Sequence, residues 1–600
     1  MNYRIYILLI VFTMTFQSLR SESVASGTCG KDINGNIIWE LTNDSLLIIT
    51  GGGPMQEYDY RNNPAPWRKY NMNITGVVVS EGVTSIGDYA FADLKMLRTI
   101  KLPETIVSVG KCGLALCVRI KNITIPNSVK YIGDGAFSEC VNLQNIVIPN
   151  SVEIVGNGTF AYCKNLKVIK IGCAVKSLGN DCFAFCEQLA NVDIPNSVHH
   201  VGKRLYDSCT NLQSVEFGDS VTCIGDSTFI YCPNLKRVKL GDSVKHIGKD
   251  SFCGCSKLES FTWPKHLTYI GDGAFMGCSA LESVYIPKSL KSSLHHALPN
   301  TKITVEEGNT RYRSIDNVLY TYNIDTLIFC ARQKRGKVEI PGTVRYICDN
   351  AFYNCRKITD IILPNSLKTI EAFAFYGCEK LHRISIPNSV QRIEVEAFSN
   401  CYNLKKVEIG RSVSNMISFA SIGPFSSCRK LMNIIVNPDN VNYVVQDGIL
   451  YDGALETIIY STKKIEEVYI PETVKFINCS AFDYCRKIRR VNIPESVECI
   501  YEYAFSGCHN LRRIVLPSNI IVGQYAFRNC NKLKDIVLNS KDLNRVSSIL
   551  YSGIKFGQCK FFVPAGTSEL YKQFSFNWRS EKQGYREIMW KDFGEIVECP

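Results

Sequence analysis

Apolar positions recur along this chain at a fixed interval. In Cys140–Phe160, C-V-N-L-Q-N-I-V-I-P-N-S-V-E-I-V-G-N-G-T-F, two short apolar runs flank a proline, and the frame restarts at Cys163. Cysteines at 117, 140, 163, 186, 209, 232, 255 and 278 hold a spacing of 23 residues. A fixed period in this range is the mark of a solenoid. Within one unit Ile169 and Ile171 alternate with Val168 and Lys170, which is strand periodicity. Pro126, Pro149, Gly172, Pro195 and Gly218 end that strand, where a missing ladder donor is tolerated. A second extended piece follows, as in Ser151–Val155; Gly156 breaks it, and a short turn or helical segment carries Phe160 inward. Sixteen positions of the Phe160 kind run from Phe91 to Phe527. One such coil cannot bury its own apolar face, so the coils must stack, with strands about 4.8 Å apart.

The frame C-x-x-L-x-x-I-x-I-P-x-S-V-x-x-I-G-x-x-A-F resembles the BspA-like class of leucine-rich repeat. It is clearest at Cys140–Phe160, Cys378–Phe398 and Cys485–Phe505, and the resemblance extends over about residues 27–575. The resemblance implies a repeat solenoid of stacked short parallel β-strands, mostly β with short helical turns, capped at both ends. It also implies a secreted or surface protein of a bacterium or protist parasite, in a family associated with adhesion to host matrix proteins, host cells and other microbes. The family has no fixed catalytic or ligand motif, so no residue role carries over.

Residues 1–22 read as a secretory signal peptide: Arg4, an apolar run from Ile5 to Phe16, then small and polar residues. The run is shorter than the roughly 20 residues a membrane span needs, and no other stretch offers one, so the mature chain is expected to lack a transmembrane segment. Residues 27–76 read as an N-terminal β cap, 77–287 as regular repeats, and 288–339 as a variant repeat. Regular repeats at 340–436, a second variant at 437–466, further repeats at 467–538 and a C-terminal cap at 539–600 complete the chain. The variants share Asp-x-Val/Ile-Leu-Tyr cores (Asp316–Tyr320, Asp447–Tyr451), and the strand ladder is expected to continue through them as one elongated array. Phe574, Phe576, Trp578 and Trp590 give the tail its aromatic character.

Fifteen of the 27 cysteines occupy one repeat position. Adjacent rungs would be within disulfide range, but their Cβ vectors run parallel, so buried free thiols are expected. The other twelve, among them Cys173, Cys223, Cys559 and Cys599, are open to a few disulfides. Neither Cys-x-x-Cys nor His-x-x-x-His occurs, and neither a metal nor a cofactor is expected. Asn43, Asn73, Asn122, Asn157 and Asn478 stand in Asn-x-Ser/Thr sequons, acceptors if the source is eukaryotic and the side chain exposed. The net charge of +12 is modest for 600 residues. Clusters such as Arg332–Lys337 and Arg486–Arg490 admit attraction to acidic glycans, but are read first as an ordinary solvated face. Basic and aromatic residues do not interleave as a nucleic-acid platform requires.

No nucleophile elbow, zincin helix or phosphate loop is present, and the expectation is a non-enzymatic protein. A solenoid presents equivalent positions along one long face. The outward main-strand residues vary while the frame is kept. The candidate binding face is Lys239, Thr262, Tyr285, Ile362, Ser385, Glu408, Ile435, Tyr469, Asn492, Val515 and Val537, more apolar toward the C-terminus. The expected partner is a protein or glycan on host or neighbouring cells, met outside the cell. The competing reading is a coat or matrix component that associates with itself.

Overall fold

The computed structural model describes residues 21–600 apart from 32–35, 293, 295–296, 300, 417–421, 541–552, 555–556, 558, 581–583, 593 and 599–600; for 575–580, 584–589 and 591 it describes the backbone alone. The signal-peptide expectation therefore falls outside the described residues. The chain forms two compact units, Met1–Pro299 with Val305–Asn309, and Asn300–Thr304 with Thr310–Pro600. The division falls inside the first variant segment.

Each unit is a β-solenoid. The first strand of each coil pairs in parallel with its equivalent one coil away: Asn145, Ile146 and Val147 face Val168, Ile169 and Lys170. The short second strands form another parallel ladder, Ile154 beside Ser177 and Val155 beside Leu178. In each ladder one side chain of every pair points inward, so Ile146, Ile169, Val155 and Leu178 are buried. The third side of the coil is not helical. Backbone φ turns positive there at residues four apart, at Gly135 and Glu139 and again at Asp181 and Phe185. Alternate N–H groups then point along the stack: Gly135 donates to Asn157 O at 2.7 Å, Phe137 to Thr159 O at 2.9 Å and Glu139 to Ala161 O at 2.8 Å. This ribbon satisfies the backbone on a side where a helix would bond only to itself.

All sixteen Phe160-type side chains are buried. Their rings stack coil upon coil. Phe137 and Phe160 lie 5.4 Å apart and 3° from parallel, and Phe252 and Phe275 are 5.0 Å apart. In the second unit Phe352, Phe375 and Phe398 repeat the arrangement at 4.9 and 5.0 Å. Offset stacks of this kind add about 0.5–1.5 kcal/mol per pair beyond area burial.

The first unit starts with a cap. Ser23–Thr28, Ile37–Thr42 and Leu46–Gly51 run antiparallel, and the last joins Gly76–Val79 in parallel, which converts a meander into the ladder. Trp67, fully buried, lies on Phe91 at 5.8 Å and ends the ring stack; its indole N–H donates to Ala90 O at 2.8 Å.

The variant segments share one topology in the second unit. Tyr312–Ile315, Val318–Thr321 and Thr326–Cys330 form an antiparallel meander, as do Tyr443–Gln446, Ile449–Asp452 and Thr457–Ser461. Positive φ at Asp316–Asn317 and Asp447–Gly448 makes their hairpin turns. The third strand of each meander pairs in parallel with the next short strand, Thr326 with Tyr346 and Thr457 with Phe476. The second-strand ladder is thus restarted by each variant. The main-strand ladder is not carried through the second one: Asn433–Val436 ends one sheet, and the next begins from the lone bridge Val468–Val491. The expectation of a continuous ladder is corrected there, because a hairpin replaces the coil.

The C-terminal ladder runs past residue 538. Cys559–Val563 pairs with Asp535–Leu538, and Gly594–Glu598 pairs with Cys559–Val563. Buried Trp590 packs edge-on to Phe561 and Tyr571, both at 5.2 Å. The side chains of Phe576 and Trp578 lie outside the described residues.

Candidate binding surface

Every cysteine among the described residues is a free thiol. The ladder thiols have a use that spacing alone did not reveal. Cys117, Cys163 and Cys186 donate S–H to the backbone carbonyls of Phe91, Phe137 and Phe160, at 3.1, 3.2 and 3.2 Å. The acceptor is in each case the carbonyl of the preceding coil's stacked ring residue. Burial pushes these thiols up, Cys140 to about 12, which keeps the donor proton in place at neutral pH. Cys559 lies outside this ladder: it directly precedes Lys560, the partner of Asp535, and donates to Leu533 O at 3.3 Å, not to a ring residue's carbonyl. Cys173 and Cys223 are exposed.

The outward main-strand positions fall in both units. Lys239, Thr262 and Tyr285 are exposed in the first. In the second, Ser385, Glu408 and Ile435 stand directly side by side, as do Asn492, Val515 and Val537. Ile362, Ser385, Ile435, Asn492 and Tyr469 are exposed, Tyr469 at 76% of its surface, while Glu408 and Val515 are half-buried. Val537 corrects the expectation: it is only 8% exposed. Its in-register neighbour is Phe562, on a strand that was assigned to the cap, and the two side chains share a face. The proposed apolar run therefore separates into Ile362, Ile435 and Tyr469, which are open, and a C-terminal stretch the added strand covers.

Four sequons are exposed, at Asn43, Asn73, Asn122 and Asn157. Asn478 is not: it is 2% exposed, because it occupies the position that follows the inward residue of the short strand. The Asn157 amide bonds Asp134 at 3.2 Å, and its oxygen accepts the Asn180 N–H at 2.8 Å.

Charge on the surface is arranged across coils. Lys176 meets Glu153 at 2.6 Å, Arg204 meets Asp181 at 2.6 Å, and Lys203 meets Asp226 at 2.8 Å, each pair one period apart. The hydrogen bond from Asp226 holds Lys203 above the usual lysine range, and that from Lys176 holds Glu153 below the usual carboxylate range. Like charges are also opposed, as in Arg383 with Lys406. Arg490 stands opposite Arg513, and the Arg512 N–H donates to Arg489 O at 2.8 Å, so two arginine doublets occupy neighbouring rungs. Close by, the Arg429 guanidinium sits between the rings of Tyr402 and Tyr484, at 4.9 and 4.5 Å. The repeated offset of the doublets is visible in sequence; that Asp535 stands in register with Arg513 on the far side is not.

A second titratable group is buried. The Asp483 carboxyl accepts Ser427 Oγ at 3.2 Å, and its backbone carbonyl accepts Lys463 Nζ. Burial pushes the carboxyl up to about 6 against the pull of Lys463. These groups join residues on either side of the second variant and do not open to solvent. Among the described residues no three metal-ligating side chains converge, and no helix is long and apolar enough to cross a membrane.

Comparison with known proteins follows the coils. The sequence profile described as BspA type leucine rich repeat region (6 copies) matches residues 69–190, 176–304, 322–451 and 454–573. No curated protein matches. Among solved structures, a leucine-rich repeat protein from Eubacterium ventriosum is 20% identical over 80% of this chain and 95% of that one, with a TM-score of 0.27. A leucine rich cell surface protein from Faecalibacterium prausnitzii is 21% identical, over 89% and 99%, at a TM-score of 0.27. The pneumococcal vaccine antigen PcpA is 20% identical, over 76% and 95%, at 0.33. The profile matches, laid over the observed coils in most of the chain, carry the assignment: the chain belongs to the BspA-type leucine-rich repeat family.

Proposed function

We propose that this chain is a non-enzymatic binding protein of the extracellular surface or the secreted fraction, attaching to a protein or glycan on host cells, matrix or other microbes through the outer faces of its coils. The reading rests on one observation above all. Side chains such as Ser385, Glu408 and Ile435 stand in register on a rigid ladder, and they differ from coil to coil while the buried frame beneath them is constant. Such a surface can hold a specific set of contacts with little ordering cost on binding. A related cell surface protein among the solved structures fits the proposed location. The exposed sequons at Asn43, Asn73, Asn122 and Asn157 would carry sugar in a eukaryotic secretory route.

The test is binding of the purified, labelled chain to intact cells and to a panel of matrix proteins. Saturable binding, displaced by excess unlabelled chain, is expected. Absence of binding together with self-association in the analytical ultracentrifuge would replace this reading with a structural coat.

A further inference from the structure

We propose that Arg489, Arg490, Arg512 and Arg513 form a binding site for a sulfated linear glycan. This deepens the binding-scaffold reading and rests on it.

The two doublets occupy the same offsets of consecutive coils. Arg490 and Arg513 are direct partners in the parallel pair Arg490–Asn492 with Arg513–Leu516, and Arg489 and Arg512 are joined through the backbone just before it. The ladder fixes their bases about 4.8 Å apart along the stack. All four side chains are exposed and none makes an ion pair among the described residues, although Asp535 stands in register with Arg513 and Glu466 lies close enough to feel Arg489. Like charges opposed on a ladder are unfavourable. Elsewhere this chain sets opposite charges on neighbouring coils, as in Lys239 with Glu216 and Lys265 with Asp242. The same offsets in the first unit hold Lys121-Asn122, Gln144-Asn145, Lys167-Val168 and Ala190-Asn191, so the doublets are not a requirement of the coil. Lys534 continues the outer row on the next coil, and Arg486 lies on the turn leading in.

Four planar guanidinium forks at fixed spacing suit a chain of anionic groups that each accept two hydrogen bonds. Sulfate esters along a polysaccharide meet that description, and the row extends along the coil stack, as a linear chain would. A membrane is a poorer fit. Beside the arginines stand polar Asn492, half-buried Val515 and exposed Tyr469, so a single large apolar side chain is open for insertion between lipids.

The test measures affinity of the full chain for a size-defined heparin oligosaccharide by calorimetry, with phosphatidylserine vesicles and polyglutamate as the lipid and acidic-peptide probes. Two variants carry equal charge loss: R489Q/R490Q/R512Q/R513Q, and K121Q/K167Q/K236Q/R237Q in the first unit. The arginine variant is expected to bind the oligosaccharide at least about tenfold more weakly, the control within about twofold. Without glycan, the arginine variant is expected to unfold close to the wild-type temperature, since lost attraction to Asp535 and Glu466 offsets the relieved repulsion. Equal losses in both variants would reduce the site to diffuse charge and overturn the proposal. Tighter binding of vesicles or polyglutamate through these arginines would overturn it in favour of another partner class. Undiminished cell binding by the arginine variant would remove this site and leave the scaffold reading standing; failure of the wild-type chain to bind any cell or matrix protein would remove that reading itself.

Discussion

A buried polar atom in this solenoid is repeated as often as the coil, so each needs a partner in the neighbouring coil. The ladder cysteines meet that condition by donating to the ring residue's carbonyl one coil back. Cys163→Ala removes one of the two hydrogen bonds that the Phe137 carbonyl accepts, the other coming from the Cys140 N–H at 3.3 Å, and opens a small void; a loss of about 1 kcal/mol is expected. Thiol labelling checks the same account. Among the described residues Cys173 and Cys223 are exposed and should react in the native chain, while the ladder thiols react only after denaturation. Tyr206 is the opposite case. It replaces phenylalanine in the ring stack, and its buried hydroxyl finds no partner among the described residues. Tyr206→Phe is therefore expected to raise stability by about 1 kcal/mol in a denaturant titration. The thiols and rings were legible from the 23-residue period alone. Asn478 was not: a sequon is a local signal, whereas its burial depends on the coils to either side.

Elements show a sharper contrast between what is periodic and what is not. The two ladders of Asn145–Val147 and Ile154–Val155 follow from alternation and a proline or glycine stop. The third side does not, because positive φ at residues as unlike as Gly135, Glu139 and Phe185 leaves no single residue signature. The strand Cys559–Val563 escaped for a simpler reason: the segment before it breaks the count, and with that strand went the cover over Val537. The turn and strand signals before residue 76 suggest a cap, but the packing of Trp67 on Phe91 needed coordinates. Trp67→Ala should destabilise the first unit by about 3–5 kcal/mol and speed hydrogen exchange first in Gly76–Val79. The second variant carries a pH signature through Asp483. With its carboxyl raised to about 6, the folded chain holds a proton that the unfolded chain has released above the ordinary carboxylate range. Stability from this group is therefore highest below that range and falls as pH rises toward 6, then levels off. The gain from Asp483→Asn should grow across that window by up to roughly 3 kcal/mol, and denaturant midpoints measured against pH would show it. A gain that does not vary with pH would contradict the assignment.

For the molecule as a whole, the constant frame and the variable exterior belong to different problems. The frame is set by burial and recurs in both units. The exterior is free to differ, and it is there that Tyr469, Ile435 and the arginine doublets stand out. Sequence alone proposes outward positions; that Val537 is closed and Tyr469 open took the coordinates. The most direct measurement is equilibrium binding of the labelled chain to intact cells over a wide concentration range, with unlabelled chain as competitor. A saturable curve that the competitor displaces is the predicted result. Binding that never saturates, or none above background, would contradict the claim that these coils are a binding surface.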